Sequence, residues 1–591
     1  MRYLLVTLLV AGAPLTIWPQ FYSPVNFPKG YFRNPLSIPI DLSGNFGEMR
    51  PNHYHMGLDL RTKLKVNLPV YAAADGYISR IKIEPGGFGR AIYINHPNGF
   101  TTVYAHLNDF DPAVERWVKE QQYLQESWKV FLDLGPFQFR VKKGDFIAYS
   151  GNTGGSEAPH LHFEIRRTAD DTNVNPLLFG LPLPDDTSPK LFRLAVYDRT
   201  KSVYEQSPRI LPLKSLAVGS FTTIPPVITV SSTLISLAIN AFDTHSGSTN
   251  SNGIYESVLY VDGVPQTGFR MDEISYNNTR YLNAHIDFKT KANGGSYLQN
   301  MSELPGYINS IYKIGAGNGV IRLNDTAIHI IKIVVKDAYQ NTSVLQCKIQ
   351  CLSPSSGLPT PDSRLHIPGS ELPISNARLP ASNARLFYPL MLDGFESDEC
   401  EFYIGERCLY DSVHIKYSRA VATSPATISS LHAIGATYIP LQEAYLIRIK
   451  PNRALTEKEK SRTVMQWFAG TKKDIQKVDW QSQWAGAKFR DFGFYQLLVD
   501  PEPPEILPVG FADGADLSKA SRIMFTIKDN LDKFKNVRTE LDGKWIRFTN
   551  DKGRQFIYQF DEKCLSGYHE LKITAEDEAG NLAVKVIRFT R

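Results

Sequence analysis

The stretch Ser156-Glu-Ala-Pro-His160-Leu-His162-Phe-Glu-Ile165 decides how this chain is read. Its second half alternates as an apolar β-strand does, and in a strand residues i and i+2 project from the same face. His160 and His162 therefore point into one space. One imidazole of such a pair can bind a metal while the other reaches a water on that metal. The pair alone does not make a site, since surface strands also carry H-x-H by chance.

Three earlier pieces give it company. His55-Met-Gly-Leu-Asp59 adds a nitrogen and a hard oxygen. A His2Asp set leaves one position of a tetrahedral zinc open for water, the pattern of a catalytic rather than a structural site. Two imidazoles among three ligands favour zinc over magnesium or calcium. His53-Tyr-His55 is itself an H-x-H pair, so on spacing alone His53 rivals His55. Gly99-Phe-Thr-Thr-Val-Tyr-Ala-His106 reads as a strand leaving a hairpin at Asn98-Gly99. His106 at its end has the ordinary alternative of a half-buried structural residue. The last piece is Val141-Lys-Lys-Gly144-Asp-Phe-Ile-Ala-Tyr-Ser-Gly151-Asn-Thr-Gly154. Of 13 histidines in the chain, His53, His55, His96, His106, His160 and His162 crowd into this first part.

The surrounding text from about 30 to 180 is hairpin grammar, short alternating runs broken by Gly and Asn. One helix interrupts it. Asp111 suits an N-cap, Pro112 the first helical position, and 113–126 has helix-forming composition. Val114, Trp117, Val118 and Leu124 give its apolar face. Packing over the sheet is the favoured reading, and a wall of a substrate groove the sharper one.

Asn175-Pro176 and Leu181-Pro-Leu-Pro-Asp-Asp-Thr-Ser-Pro189 break the pattern and read as a domain boundary. Strand-like sequence follows almost to the end. Two segments look like copies of one unit: His329-Ile-Ile-Lys-Ile leading to Asp337-Ala-Tyr-Gln-Asn341, and His569-Glu-Leu-Lys-Ile leading to Asp577-Glu-Ala-Gly-Asn581. Each reads as strand, tight Asp/Asn turn and final strand, the ending of many immunoglobulin-like sandwiches. His329 and His569 are read as structural for that reason. Pro354–Pro361 is a joint, Pro380–Asp500 a further β domain, and Pro501-Glu-Pro-Pro504 a stiff linker into the last unit.

Met1-Arg2 and the apolar run Tyr3–Ala13 read as a secretory signal, too short for a span of roughly 20 residues. With no cysteine before Cys347, a lipid-modified amino terminus is excluded, and the mature chain is expected in the periplasm or cell envelope. The five cysteines form no C-x-x-C pair, which argues against a thiolate zinc site. Cys400 and Cys408 read as flanking a hairpin turned at Gly405, either bridged or as ordinary strand thiols. A formal charge of +5 over 591 residues is too small to argue for nucleic acid. With 42% hydrophobic and 21% charged residues the chain is neither disordered nor a coiled coil.

Together these pieces resemble the lysostaphin/LytM-type zinc endopeptidases. The match runs through His55-x-Gly-x-Asp59, Tyr-Ala-His106-Leu, Gly151-Asn-Thr-Gly154 and Pro159-His160-Leu-His162-Phe-Glu. The resemblance implies that His55, Asp59 and His162 hold one Zn2+ per chain, which decides against His53. It implies that His106 and His160 line the water and the scissile carbonyl as catalytic residues, without saying which takes the proton. It implies peptidoglycan peptides as substrate, often cut beside glycine or D-alanine. A non-catalytic relative that activates another wall hydrolase is the alternative, although such relatives usually lack the zinc ligands kept here.

The expected architecture is mostly β, an antiparallel β-sheet peptidase domain followed by several immunoglobulin-like β-sandwich domains. Its expected segments are a signal peptide at 1–19, the endopeptidase domain at 20–185, a β-sandwich at 186–352, a β-rich domain at 353–500 and an immunoglobulin-like domain at 501–591. The tail is expected to position the enzyme on the wall or on envelope proteins, or to act as a spacer.

Overall fold

The computed structural model describes residues 21–308, 311–352, 383–422, 426–553 and 555–591. The signal segment and the joint at 354–361 lie outside the described residues. The chain is mostly β, and its strands assemble into an N-terminal sheet and three further β units.

The N-terminal sheet is antiparallel. Its main strands are β1 (Leu42–Gly44), β2 (Leu58–Arg61), β3 (Gly76–Ile83), β4 (Arg90–Asn95), β5 (Phe100–Ala105), β6 (Val130–Asp133) and β7 (His160–Arg167). They lie in the order β1-β2-β7-β5-β4-β3-β6. Strand β7 is central, between β2 and β5. On its core side Leu161, Phe163 and Ile165 are fully buried. Each such side chain contributes about 2 kcal/mol on burial. A one-residue slip would put the histidines in the core and these residues in the groove.

The helix α1 (Pro112–Leu124) starts where the sequence places it, with the Asp111 carboxylate accepting from the Ala113 amide at 2.9 Å. Of the expected face, Val114 and Val118 are buried and Trp117 packs part-buried against the core, with Gln122 joining them; Leu124 is 77% exposed. The helix is not a groove wall either, because its outer side meets the last β unit. Lys119 pairs with Asp561 at 2.7 Å, and the Tyr123 and Trp545 rings meet edge to face at 5.2 Å.

The joints between units are packed. A short strand β8 (Asn173–Val174) pairs with β7 on one side and with Glu273–Ile274 of the next unit on the other. One continuous apolar core then runs from Phe27 to Cys351. A second joins Tyr197, Tyr204 and Tyr281 to the unit built from Asn383–Val499, and a third fills the last unit.

The two repeated segments have matching structures. In each, the Asp carboxylate binds the Asn side-chain amide four residues on at 2.7 Å, and the His Nδ1 meets a turn aspartate, Asp262 or Asp542, also at 2.7 Å. The Cys400–Cys408 hairpin is not formed. Cys400–Ile404 pairs instead with Asp393–Glu396 and Pro440–Ile449, and both thiols are free and buried. The strand forms its hairpin on the other side, with Asp393–Glu396 across a turn at 397–399, and its second partner, Pro440–Ile449, comes later in the chain.

The shared sheet and core predict a stability difference. A fragment of residues 21–186 loses the Glu273–Ile274 pairing and exposes core, whereas 21–352 keeps both. The shorter fragment should melt at least about 5 °C lower by circular dichroism. Equal midpoints would show the boundary at 185/186 to be a free joint.

Candidate metal and catalytic site

The register of β7 builds the site. His162 stands opposite Asp59 of β2 on one side and Ala105 of β5 on the other, so His106, the next residue, arrives beside it. His55, Asp59 and His162 are buried, and each offers a ligand atom within 4.8 Å of the others. Asp59 Oδ1 lies 3.0 Å from His55 Nε2 and 2.9 Å from His162 Nδ1, and the two nitrogens are 3.1 Å apart. Gly57 explains the glycine inside His-x-Gly-x-Asp. A Cβ there would fall 2.5 Å from the Phe163 carbonyl and 3.0 Å from His162 Nε2.

The outer partners of these rings fix their tautomers. His55 Nδ1 is 2.8 Å from the Asn45 carbonyl, which can only accept, so Nδ1 carries the hydrogen and the Nε2 lone pair faces the cluster. His162 Nε2 likewise donates to Glu164 at 2.9 Å, turning Nδ1 inward. Asp59 presents Oδ1 to the rings while Oδ2 accepts from Arg50 at 2.6 Å. Three lone pairs thus converge, each donor held from behind by an acceptor or a cation, as at metal centres. This donor set fits a borderline-soft divalent cation such as zinc.

The electrostatics follow from the same contacts. Burial pushes His55 down to about 4, against the pull of Asp59. Burial also opposes charge on His162, but Asp59 and Glu164 flank it and raise it to about 9. Burial works to raise the Glu164 carboxyl, yet Arg166, then His162 and Tyr276, outweigh it and hold it at about 2. Without a cation the converging pairs therefore share a proton, carried on His162.

His106 and His160 stand beside the cluster, their ring centroids 4.8 Å apart. His106 has φ 58°, a left-handed conformation costly for a non-glycine residue. It is held there by its amide bond to the Phe88 carbonyl at 3.0 Å and by Nδ1 donating to the Thr153 carbonyl at 2.9 Å. The turn bearing Thr153 is fixed at Gly154 (φ 69°), where a Cβ would sit 2.3 Å from the Gly89 nitrogen. Burial, with His162 and His160 nearby, pushes His106 down to about 3, so it is neutral. His160 directs Nδ1 to the Ala158 carbonyl at 2.8 Å and Nε2 toward Asp59 at 3.3 Å. His53 is exposed on the rim, tied to the Pro51 carbonyl, and is outside the cluster.

All five histidine and aspartate positions open on one groove of about 860 Å³, lined also by Phe88, Glu157 and Tyr276. The sequence reading assigned no role to three residues here. Glu164 was legible, since it continues the face of His160 and His162 at i+2. Arg50 carried no signal beyond its charge. Tyr276 comes from the following β unit, and its hydroxyl reaches Glu164 at 2.5 Å with Arg166 over its ring at 4.8 Å. No local pattern announces so distant a contact.

Comparison with known proteins points the same way. The model of peptidase family M23 matches residues 53–128 and 138–176, and that of a Zu5-like domain matches residues 389–500. A DD-carboxypeptidase/endopeptidase, Mpg, of Neisseria meningitidis serogroup B is 32% identical over 171 residues, 29% of this chain and 30% of that protein. The peptidoglycan DD-endopeptidase ShyC of Vibrio cholerae is 29% identical over 160 residues, 26% of this chain and 30% of that protein. The chain therefore spans under a third of the length of these curated relatives. Among solved structures, the lysostaphin catalytic domain of Staphylococcus simulans is 26% identical and covers 23% of this chain and 87% of its own, with a TM-score of 0.17. With its motif residues gathered around one groove on an antiparallel sheet, the segment spanning residues 53–176 belongs to peptidase family M23, the LytM-type metallo-endopeptidases.

Proposed function

We propose that this chain is an exported zinc endopeptidase that hydrolyses peptide cross-links of cell-wall peptidoglycan. In this reading His55, Asp59 and His162 hold the zinc, and His106 and His160 act on the water and the scissile carbonyl. The observation that carries the reading is the convergence of three lone pairs whose outer partners leave them no other direction. The wall substrate rests on the relatives named for it and on the signal-like amino terminus.

Bound there, zinc would supply a Lewis acid and bring the pKa of a water toward neutrality. The residues of the chain divide the remaining work. His106 donates Nδ1–H to Thr153, so its Nε2 can only accept, which suits the proton acceptor. His160 sets Nδ1 near the Ala158 carbonyl and Nε2 toward Asp59, beside the position of the scissile carbonyl. An N–H of that ring can donate to the developing oxyanion, a role worth about 3–4 kcal/mol. Phe88 and Tyr276 wall the groove, the Phe88 ring lying 5.5 Å from that of His162. An extended, flexible peptide can enter, whereas a folded protein would first have to open locally.

The ligand assignment predicts a split among variants. His55→Ala, Asp59→Ala and His162→Ala should each lose zinc by elemental analysis, and His53→Ala should retain it. His106→Ala and His160→Ala should keep zinc and lose about 100-fold or more in turnover. Near-normal rates in both would remove them from the chemistry.

The raised pKa of His162 predicts a proton count. At pH 7, below about 9, the metal-free ring carries a proton that zinc must displace. Zinc binding should take about one proton from His162 at pH 7 and progressively fewer as pH rises through about 9, read from the ring's NMR signals with and without zinc, apart from the proton that the metal-bound water gives up. A His162 ring already neutral at pH 7 in the metal-free protein would place the proton elsewhere.

The substrate is tested by digesting a directly cross-linked muropeptide dimer, a pentaglycine-bridged dimer and casein in parallel, with products weighed by mass spectrometry. Faster loss of the direct D-alanyl cross-link is expected. Preference for the pentaglycine bridge would move the enzyme to the glycyl-glycine class, and cleavage of casein alone would remove the wall assignment.

A further inference from the structure

Two clusters of three aspartates lie outside the lining of the groove. Asp185, Asp243 and Asp337 form one, and Asp500, Asp529 and Asp577 the other, each with its ligand oxygens within 4.8 Å of one another. They occupy equivalent places in the two repeated β units. Asp185 stands five residues before the strand Lys190–Asp198, and Asp500 five before Glu505–Val509. Asp243 and Asp529 directly follow the strands that pair with those, Leu234–Phe242 and Arg522–Lys528. Asp337 and Asp577 are the aspartates of the repeated Asp/Asn turn. In both units the turn asparagine, Asn341 or Asn581, also binds the backbone carbonyl of the linker aspartate.

Acidic residues alone would make no site, but these carboxylates are left incomplete. Asp243 Oδ1, Asp500 Oδ2 and Asp529 Oδ2 are buried with no hydrogen-bond partner. Their residues are only 5%, 3% and 6% exposed. In the second cluster the other oxygen of each is occupied, Asp529 Oδ1 by the Leu531 amide and Asp500 Oδ1 by the Asn530 side chain. The orphaned oxygens are those left to meet their neighbours. A buried carboxylate oxygen without a donor is costly, and three converging carboxylates repel. Burial first, then the adjacent carboxylates, raises Asp243 to about 8 and raises Asp529 as well. The same unfilled arrangement has arisen at the same place twice.

We propose that each tri-aspartate cluster binds one Ca2+ ion, which clamps the linker entering a β-sandwich to two of that sandwich's strand ends. The donors are all hard oxygens, which select calcium or magnesium over zinc. Calcium takes six to eight oxygens in roughly flexible geometry, whereas magnesium demands a near-ideal octahedron that three chain segments do not set by themselves. The clamps would fix the angle at which each sandwich leaves its neighbour and so the path of the chain from groove to last unit. This role is independent of the peptidase reading.

The test is equilibrium dialysis of the full chain, stripped of metal, against radiolabelled calcium. Two ions per chain should bind with dissociation constants at or below about 1 mM, the range of extracellular calcium modules. Asp243→Asn should remove one ion and Asp529→Asn the other, while Asp59→Ala keeps both. The unmutated chain suffices should a variant misfold. No bound calcium at about 10 mM would overturn the proposal and show that the clusters instead share protons. Unchanged stoichiometry in both variants would overturn it too, and displacement by equimolar magnesium would overturn the assignment to calcium.

Discussion

The site depends on the register of one strand. The strand from His160 to Arg167 is paired on both sides, and its buried Leu161, Phe163 and Ile165 leave it no second position of comparable energy. That register alone sets His162 against Asp59 and brings His106 alongside. Gly57 then lets the neighbouring strand approach closely enough for the imidazole to reach the carboxylate. The chemistry is therefore placed by hydrophobic burial on the far face of the sheet, not by the polar residues themselves.

Orientation is a separate layer from placement. Each donor is aimed by a group behind it: the Asn45 carbonyl, Glu164 and Arg50. Glu164 is in turn held by Arg166 and by Tyr276 of the following β unit. The tail is thus part of the site's support as well as a candidate anchor. The last unit returns to the same region, where the Gly154 amide binds the Asp551 carbonyl and Lys552 reaches the Ser156 carbonyl. Those contacts bear on the very turn that fixes His106.

What was legible in the sequence was local and periodic. The i+2 spacing of His160 and His162, the strand ending at His106 and the cap of the helix at Asp111 each depend on residues a few positions apart. The two repeated turns were legible too, because one Asp-to-Asn spacing recurs with a histidine at the same distance. What escaped was non-local. The outer face of the helix docks on a unit more than 400 residues away. Tyr276 is separated from Glu164 by a whole boundary, and Cys400–Ile404 pairs on its second side with Pro440–Ile449, well beyond the hairpin it makes with Asp393–Glu396. Pairing of alternating strands is set by the assembled core, so alternation gives the strand and not its neighbour.

The account stands on one claim, that the outer partners leave His55 Nε2, Asp59 Oδ1 and His162 Nδ1 facing one metal position. Diffraction from crystals of the zinc-loaded protein, recorded across the zinc absorption edge, tests it most directly. The account predicts one strong anomalous peak per chain within about 2.0–2.3 Å of those three atoms. A peak on His53 or His160, or one that meets His162 through Nε2, would contradict it.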